Sequence, residues 1–400
     1  MPERGKILSD VTVLDLTTFV TGGFASLMLA NQGADVIKVE RPGVGDDNRH
    51  SGPPFINDES PYFWSVNYGK RSIELDLKTD EGKQALYDLA SEADVFLQNY
   101  RPGTAEKLGV AYEDITEYNG SIIYCAISAF GQTGPWQKRP GYDLLIQGIS
   151  GIMSVTGEAD GPPVKVGLPQ TDLITAMWAA FGVLNGLYRR EQTGKGEFID
   201  LGMLDATLPW LTKQAGKVFA EETPTRMGTK DPVLAPYQTF ETKDGYINIA
   251  CLNKKLWSNL CIGLDREDLI DDPRFETNAD RVEHMAELET ELETTLTERT
   301  TDEWLSVLVE DVGIPAGPVQ SVEDALYNEQ SKARDNVVEM KHPEHGTVPV
   351  IEHPLNYRNA ESGFESFAPQ LGEHTREVFE EIGYSSDEIE ILAEQGVFDS

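Results

Sequence analysis

The residues of this chain best suited to chemistry end one loop, Gly161-Pro162-Pro163-Val164-Lys165-Val166-Gly167-Leu168-Pro169-Gln170-Thr171-Asp172. Glycine and proline there give way to helical spacing at Leu173, Ala176, Met177, Ala180, Phe181 and Leu184. Thr171 and Asp172 therefore fall at a helix start, where short oxygen-bearing side chains accept unpaired backbone N–H groups. A helix N-terminus also carries partial positive charge, which favours an anion. Two readings of Asp172 follow. One is a plain helix cap, the commoner use of Asp at such a place; the other is a carboxylate nucleophile.

A second set of residues could hold anions. Arg41, Arg71, Lys78, Arg101, Lys107 and Arg139 all fall near expected strand ends in the first half of the chain. On one edge of a sheet they would form a positive patch suited to phosphates. The alternative is that they pair with neighbouring acids on the surface. Other chemistries leave no pattern: there is no Ser/His/Asp arrangement, no G-x-S-x-G and no H-E-x-x-H. Of six histidines, His342, His345 and His353 lie close together, but Pro343 and Gly346 break any regular ligand face. These are expected to be surface or strand-edge residues, with no metal site. Cys125, Cys251 and Cys261 show neither a paired framework nor metal spacing, which fits a reducing, cytoplasmic setting.

The elements that must position these groups read as an α/β fold. Residues 11–16 and 34–40 are apolar strands flanking a short helix opened by Gly22-Gly23, a βαβ unit that implies a parallel sheet. The spacing does not match G-x-G-x-x-G, so no nicotinamide site follows. Further strands are expected over 70–78, 93–99, 121–128 and 197–203, and helices from Thr79-Asp80, from Asp143 and from Asp172 to about Thr193. Loops that follow parallel strands are where ligands usually bind. After about 221 the pattern changes to a hairpin around Lys243-Asp244-Gly245 and a run of acidic helices.

Charge narrows the partners. The net charge is −35, from 68 acidic and 33 basic residues, spread along the whole chain. That argues against nucleic acid and anionic membranes, and suits a surface adapted to high salt. No apolar run reaches the length of a membrane span, and no signal-peptide core follows Met1.

Taken in order, several stretches resemble the class III CoA-transferases of the formyl-CoA and carnitine-CoA transferase type. They are Val13 to Thr17, Leu29 to Pro42, Gly69 to Lys78, Asn99 to Gly103, Gly141-Tyr142-Asp143, Gly151 to Gly157, Gly161-Pro162-Pro163, Thr193 to Gly196, Gly313 to Val319 and Leu371 to Thr375. The resemblance implies a large Rossmann-like α/β domain from residues 1–221 and 329–400, a smaller inserted α+β domain at 222–328, and an interlocked-ring homodimer. It places the nucleophile at Asp172. It places CoA contacts at Val20, Thr21, Arg41, Leu75, Lys78, Asn99, Tyr100, Arg101, Lys107, Arg139, Tyr142 and Asp143. The implied reaction moves CoA between an acyl-CoA and a carboxylic acid through an aspartyl anhydride and an aspartyl-CoA thioester. It uses CoA thioesters as substrates and no permanently bound cofactor. Overall likeness to dicarboxylate-using members points to succinyl-CoA as donor and a small dicarboxylate such as mesaconate as acceptor. Two departures bear on the acyl group: Val20 replaces a Gln carried by some members, and the glycine-rich lid of formyl-CoA transferase has no counterpart. The alpha-methylacyl-CoA racemases are similar too, but carry His where this chain has Tyr142. A phenol is a poor proton acceptor at neutral pH. A CoA-binding protein without catalysis is the remaining alternative, and the intact loop to Asp172 speaks against it.

Overall fold

In the computed structural model, which describes residues 5–399, six strands form one parallel sheet. They are β1 (Thr12–Asp15), β2 (Asp35–Glu40), β3 (Lys70–Glu74), β4 (Val95–Gln98), β5 (Ile123–Ser128) and β6 (Glu197–Gly202). Their order is β3-β2-β1-β4-β5-β6. Successive side chains along a strand point to opposite faces. Val13, Val36, Val95, Leu97, Ile123 and Cys125 pack on one face, against Ala25 and Leu29 of the helix Phe19–Asn31 and Ala176, Ala179 and Val183 of the helix Gln170–Thr193. Leu14, Ile37, Ile73, Phe96 and Tyr124 pack on the other, against Leu86, Leu89, Val378 and Phe379. A sheet covered on both faces needs unbroken apolar strands, which is why these segments lack polar alternation. Each fully buried Leu, Ile or Val contributes about 1.5–3 kcal/mol.

The sequence places β3 over 70–78, but the strand ends at Glu74. Leu75 and Leu77 continue into the core while Lys78 leaves it, so burial rather than pairing shaped that apolar pattern. The helix after β1 also begins earlier than Gly22, at Phe19. Gly186 lets the long helix close on the sheet, since a Cβ there would lie 2.8 Å from Ile123.

The chain divides into two compact units. The first holds residues up to Gly151, Val166–Gly216 and Glu329 onward; the second holds Ile152–Lys165 and Lys217–Asn328. The sequence assigns 152–165 to the first domain, whereas here they group with the second unit. That unit has a three-stranded antiparallel sheet of β7 (Tyr237–Glu241), β8 (Tyr246–Ala250) and β9 (Ala316–Pro318). Its core gathers Phe240, Ile247, Trp257, Leu292 and Trp304. A hairpin, β10 (Val337–His342) and β11 (Gly346–Ile351), belongs to the first unit. Among the described residues no helix is long and apolar enough to cross a membrane.

Candidate active site

Strand order reverses between β1 and β4, so the loops leaving their C-terminal ends flank a crevice. The loop after β1 is held atom by atom. Asp15 Oδ1 accepts from Thr17 N at 2.9 Å, Asn99 Oδ1 from Thr18 N at 3.0 Å, and Asp46 Oδ1 from Phe19 N at 3.0 Å. Asn99 also donates to the Thr18 carbonyl at 2.8 Å. Phe19 has a φ of 60°, a conformation unfavourable for a bulky residue, so these bonds hold a strained turn. Gly22 permits it: a Cβ there would meet the Thr17 side chain at 2.1 Å.

Beneath the turn lies a buried charge network. Lys38 Nζ meets Asp46 Oδ2 at 2.8 Å and donates to the Thr17 carbonyl at 2.9 Å. Lys70 Nζ reaches Asp15 Oδ2 at 3.1 Å, Asn67 Oδ1 at 2.7 Å and the Gly23 carbonyl at 3.0 Å. All four charged groups are fully buried, so each depends on its partner. Burial opposes the charge on Asp15, but Lys70, Lys38 and the hydroxyls of Ser26 and Thr17 together outweigh it and hold the carboxyl at about 2. Burial pulls Lys70 down to about 8 against the pull of Asp15.

This clamped turn delivers Thr21 to Asp172. The buried Thr21 hydroxyl donates to Asp172 Oδ1 at 2.5 Å. The helix begins at Gln170, and Pro169 at its N-cap position offers no capping side chain. Asp172 is thus inside the first turn, and the plain-cap reading fails. The helix start is instead held by Asp143, whose Oδ1 accepts from Thr171 N and Thr171 Oγ1, each at 2.8 Å. Asp143 Oδ2 takes Gln147 Nε2 at 2.7 Å. Burial pushes the Asp172 carboxyl up to about 6; the Thr21 hydroxyl opposes that rise and the Asp143 charge adds to it. Such a group is ionised at neutral pH yet poorly solvated, which favours attack on a carbonyl.

The cations proposed for phosphate binding separate into two groups. Arg41, Lys78, Arg101, Lys107 and Arg139 are exposed and follow the C-terminal ends of β2, β3, β4 and β5. Among the described residues Lys78, Arg101, Lys107 and Arg139 form no ion pair, although the chain carries 68 acids. Arg139 lies over the Trp136 ring, 4.5 Å from its centroid. Arg41 pairs with Asp47 at 2.7 Å in the open, a weak tie that a phosphate could replace. Arg71 does not belong with them. It sits at the start of β3, in ion pairs with Asp35, Glu377 and Glu381, as the surface-pairing alternative requires.

Of the other expected contacts, Leu75 is buried, and Tyr100 is half-buried with its phenol pushed by burial up to about 12. Val20 is half-buried beside Thr21. Tyr142 is 59% exposed and meets Phe19 edge-on, ring centroids 6.2 Å apart. Asn99 and Asp143 spend their polar atoms on the Thr18 turn and the helix start, so they position the site. Phe19, Asp46, Lys38 and Lys70 were missed by sequence reasoning. Asp35, Lys38 and Glu40 of β2 read as ordinary strand polarity, and nothing local marks them as a buried network.

The histidines also need correction. His342 is buried, and with His345 it faces Glu59, their ligand-capable atoms within 4.8 Å of one another. His342 Nδ1 accepts the backbone N–H groups of Glu344 and His345, and the Asn57 amide donates to His345 Nδ1. Both rings therefore carry their proton on Nε2 and present it to Glu59, at 3.3 Å each. Trp64 and Gln370 donate to the same carboxylate. The cluster is a hydrogen-bonded clamp on β10, and its ring nitrogens have no lone pair to offer a metal at the shared centre.

A poorly solvated carboxylate, in a chain whose exposed cations follow the C-terminal ends of the parallel strands, suits acyl chemistry on a carrier that bears phosphates. The sequence matches CoA-transferase family III over residues 8–375. Succinyl-CoA:glutarate CoA-transferase of Mus musculus is 41% identical over 396 residues, 98% of this chain and 91% of that protein. Succinyl-CoA:mesaconate CoA-transferase of Haloarcula hispanica is 37% identical over 387 residues, 94% of this chain and 96% of that protein. A solved CAIB/BAIF family protein from Brucella suis superposes with a TM-score of 0.86 at 37% identity, over 95% of this chain and 100% of that one. The chain belongs to CoA-transferase family III. It is an enzyme, a CoA-transferase acting on CoA thioesters.

Proposed function

We propose that the enzyme exchanges CoA between succinyl-CoA and a small dicarboxylate, with Asp172 as the acyl carrier. The observation that carries this reading is the Asp172 carboxylate, raised to about 6 and held by Thr21 at the start of a helix. Asp172 attacks the thioester carbonyl and expels CoA thiolate, giving a mixed anhydride. The thiolate attacks the aspartyl carbonyl, giving aspartyl-CoA and free donor acid. The acceptor carboxylate attacks that thioester, and the returning thiolate completes the exchange. One thioester replaces another, so the balance needs neither ATP nor an oxidant. Arg41, Lys78, Arg101, Lys107 and Arg139 hold the CoA phosphates, and Leu75, Tyr100 and Val20 line its path.

Support for the donor and acceptor comes from the relatives, which are named for succinyl-CoA with glutarate or mesaconate. Mesaconate is our first expectation and glutarate the second. A racemase would need an imidazole at position 142, which here is Tyr. A homodimer is supported by an apolar stripe on the helix Gln170–Thr193, where Met177, Trp178, Phe181, Leu184 and Tyr188 are all exposed. The net charge of −35 supports work in concentrated salt, and the three free, buried cysteines support a cytoplasmic setting.

The test is CoA exchange from succinyl-CoA to a panel of acids in molar salt, read by mass spectrometry. Mesaconyl-CoA or glutaryl-CoA should appear with the unmodified enzyme. Neither should appear with Asp172→Ala, which should still bind CoA. Turnover by Asp172→Ala would refute the nucleophile assignment, and exchange with no dicarboxylate would refute the substrate.

A further inference from the structure

The two oxygens of Asp172 are not equivalent. Oδ1 accepts the Thr21 hydroxyl at 2.5 Å, while Oδ2 accepts no hydrogen bond among the described residues. Oδ2 is the freer lone-pair donor, so it makes the bond to the thioester carbonyl. Oδ1 then becomes the carbonyl oxygen of the anhydride and stays under the Thr21 hydroxyl. Thr21 cannot drift from that place. It is buried, the turn before it is bound by Asp15, Asn99 and Asp46, and Gly22 after it is pressed on Thr17.

We propose that Thr21 is a catalytic residue of the second step, its hydroxyl holding the charge that forms on Asp172 Oδ1 when the CoA thiolate attacks Cγ. This rests on Asp172 being the nucleophile. In the first step Oδ2 bonds to the acyl carbon, the carbon–sulfur bond breaks and CoA leaves as thiolate. Negative charge leaves the carboxylate, so the Thr21 hydrogen bond weakens and gives that step no help. In the second step sulfur bonds to Cγ, and the carbonyl electron pair moves onto Oδ1. The bond from Cγ to Oδ2 then breaks, and the donor acid departs with Oδ2. Charge returns to Oδ1 in that transition state, and a donor already in place stabilises it without reorganisation. The same logic covers attack of the acceptor carboxylate on aspartyl-CoA, which again loads Oδ1. One hydroxyl thus acts with opposite sign on the two kinds of step, which a merely structural role would not do.

The test compares Thr21→Val, which keeps the shape, with Thr21→Ser, which keeps the donor. Hydroxylamine traps the anhydride, and acid quench with mass spectrometry counts aspartyl-CoA on Asp172 over time. In Thr21→Val, aspartyl-CoA should form roughly 100-fold more slowly. The hydroxylamine-trapped adduct should form undiminished, with KM for the acyl-CoA little changed. Thr21→Ser should recover most of the rate. Three results overturn the proposal: aspartyl-CoA at the unmodified rate in Thr21→Val, loss of the trapped adduct in parallel with it, or Thr21→Ser as slow as Thr21→Val. A failure of the underlying reading looks different, because the unmodified enzyme would then show no adduct on Asp172 at all.

Discussion

Replacing Asp172 by Asn should abolish exchange and yet make the protein more stable. The carboxyl is raised by burial from an ordinary 3.8 to about 6, with Asp143 adding to the rise. A raised acid costs stability wherever the folded state must carry the charge. The cost is absent below the unfolded value, near pH 4, grows as pH rises to about 6, and is complete above that. At roughly 1.4 kcal/mol per pH interval of one, it reaches about 3 kcal/mol as an upper bound. Asn has nearly the same shape and keeps an oxygen for the Thr21 hydroxyl, so the substitution removes charge without opening a cavity. Urea unfolding of both proteins at pH 8 and pH 4, in the same salt, isolates the effect. The variant should gain about 1–3 kcal/mol at pH 8, and the two curves should coincide at pH 4. No gain at pH 8, or an equal gain at both values, would show that Asp172 is not a strained charge, and the physical basis for its nucleophilicity would go with it.

Four other outcomes follow from the same geometry. The pH–rate profile should have an acid limb near pH 6 set by Asp172, and Asp143→Asn should move that limb to lower pH by removing the neighbouring charge. Lys38→Met strands the buried Asp46 without its cation and should destabilise the first unit by about 3–5 kcal/mol in denaturant titration. Arg101→Ala or Lys78→Ala should raise KM for acyl-CoA about two- to tenfold with little change in kcat, less so in high salt. Phe181→Glu on the exposed apolar stripe should shift sedimentation toward the monomer.

Much of this was legible in the sequence, for physical reasons. Strands buried on both faces must be apolar throughout, so Val13-Leu14 and Ile123 to Ile127 announce themselves. The change from Gly/Pro composition to helical spacing marks the start of the long helix and so singles out Asp172. What stayed hidden was assembled across distance. Thr21 and Asp172 are 151 positions apart, and no local periodicity couples them. Lys38 and Lys70 look like ordinary polar strand residues because the sequence does not show that their neighbours bury them. The His342 clamp needs Glu59, nearly three hundred residues away, and only the folded chain brings them together. The family resemblance named the expected CoA contacts as a group. It could not separate those that face solvent from Asn99 and Asp143, which hold the site in place.

The central claim is that an oxygen of Asp172 enters the chemistry. In the proposed route the donor acid leaves with Oδ2, and an oxygen of the acceptor takes its place. Turnover with an acceptor carrying isotopically labelled carboxylate oxygen, followed by peptide mass spectrometry, reads this directly. The account predicts label in Asp172 and in no other carboxylate of the chain. Full exchange of CoA with Asp172 left unlabelled would contradict it.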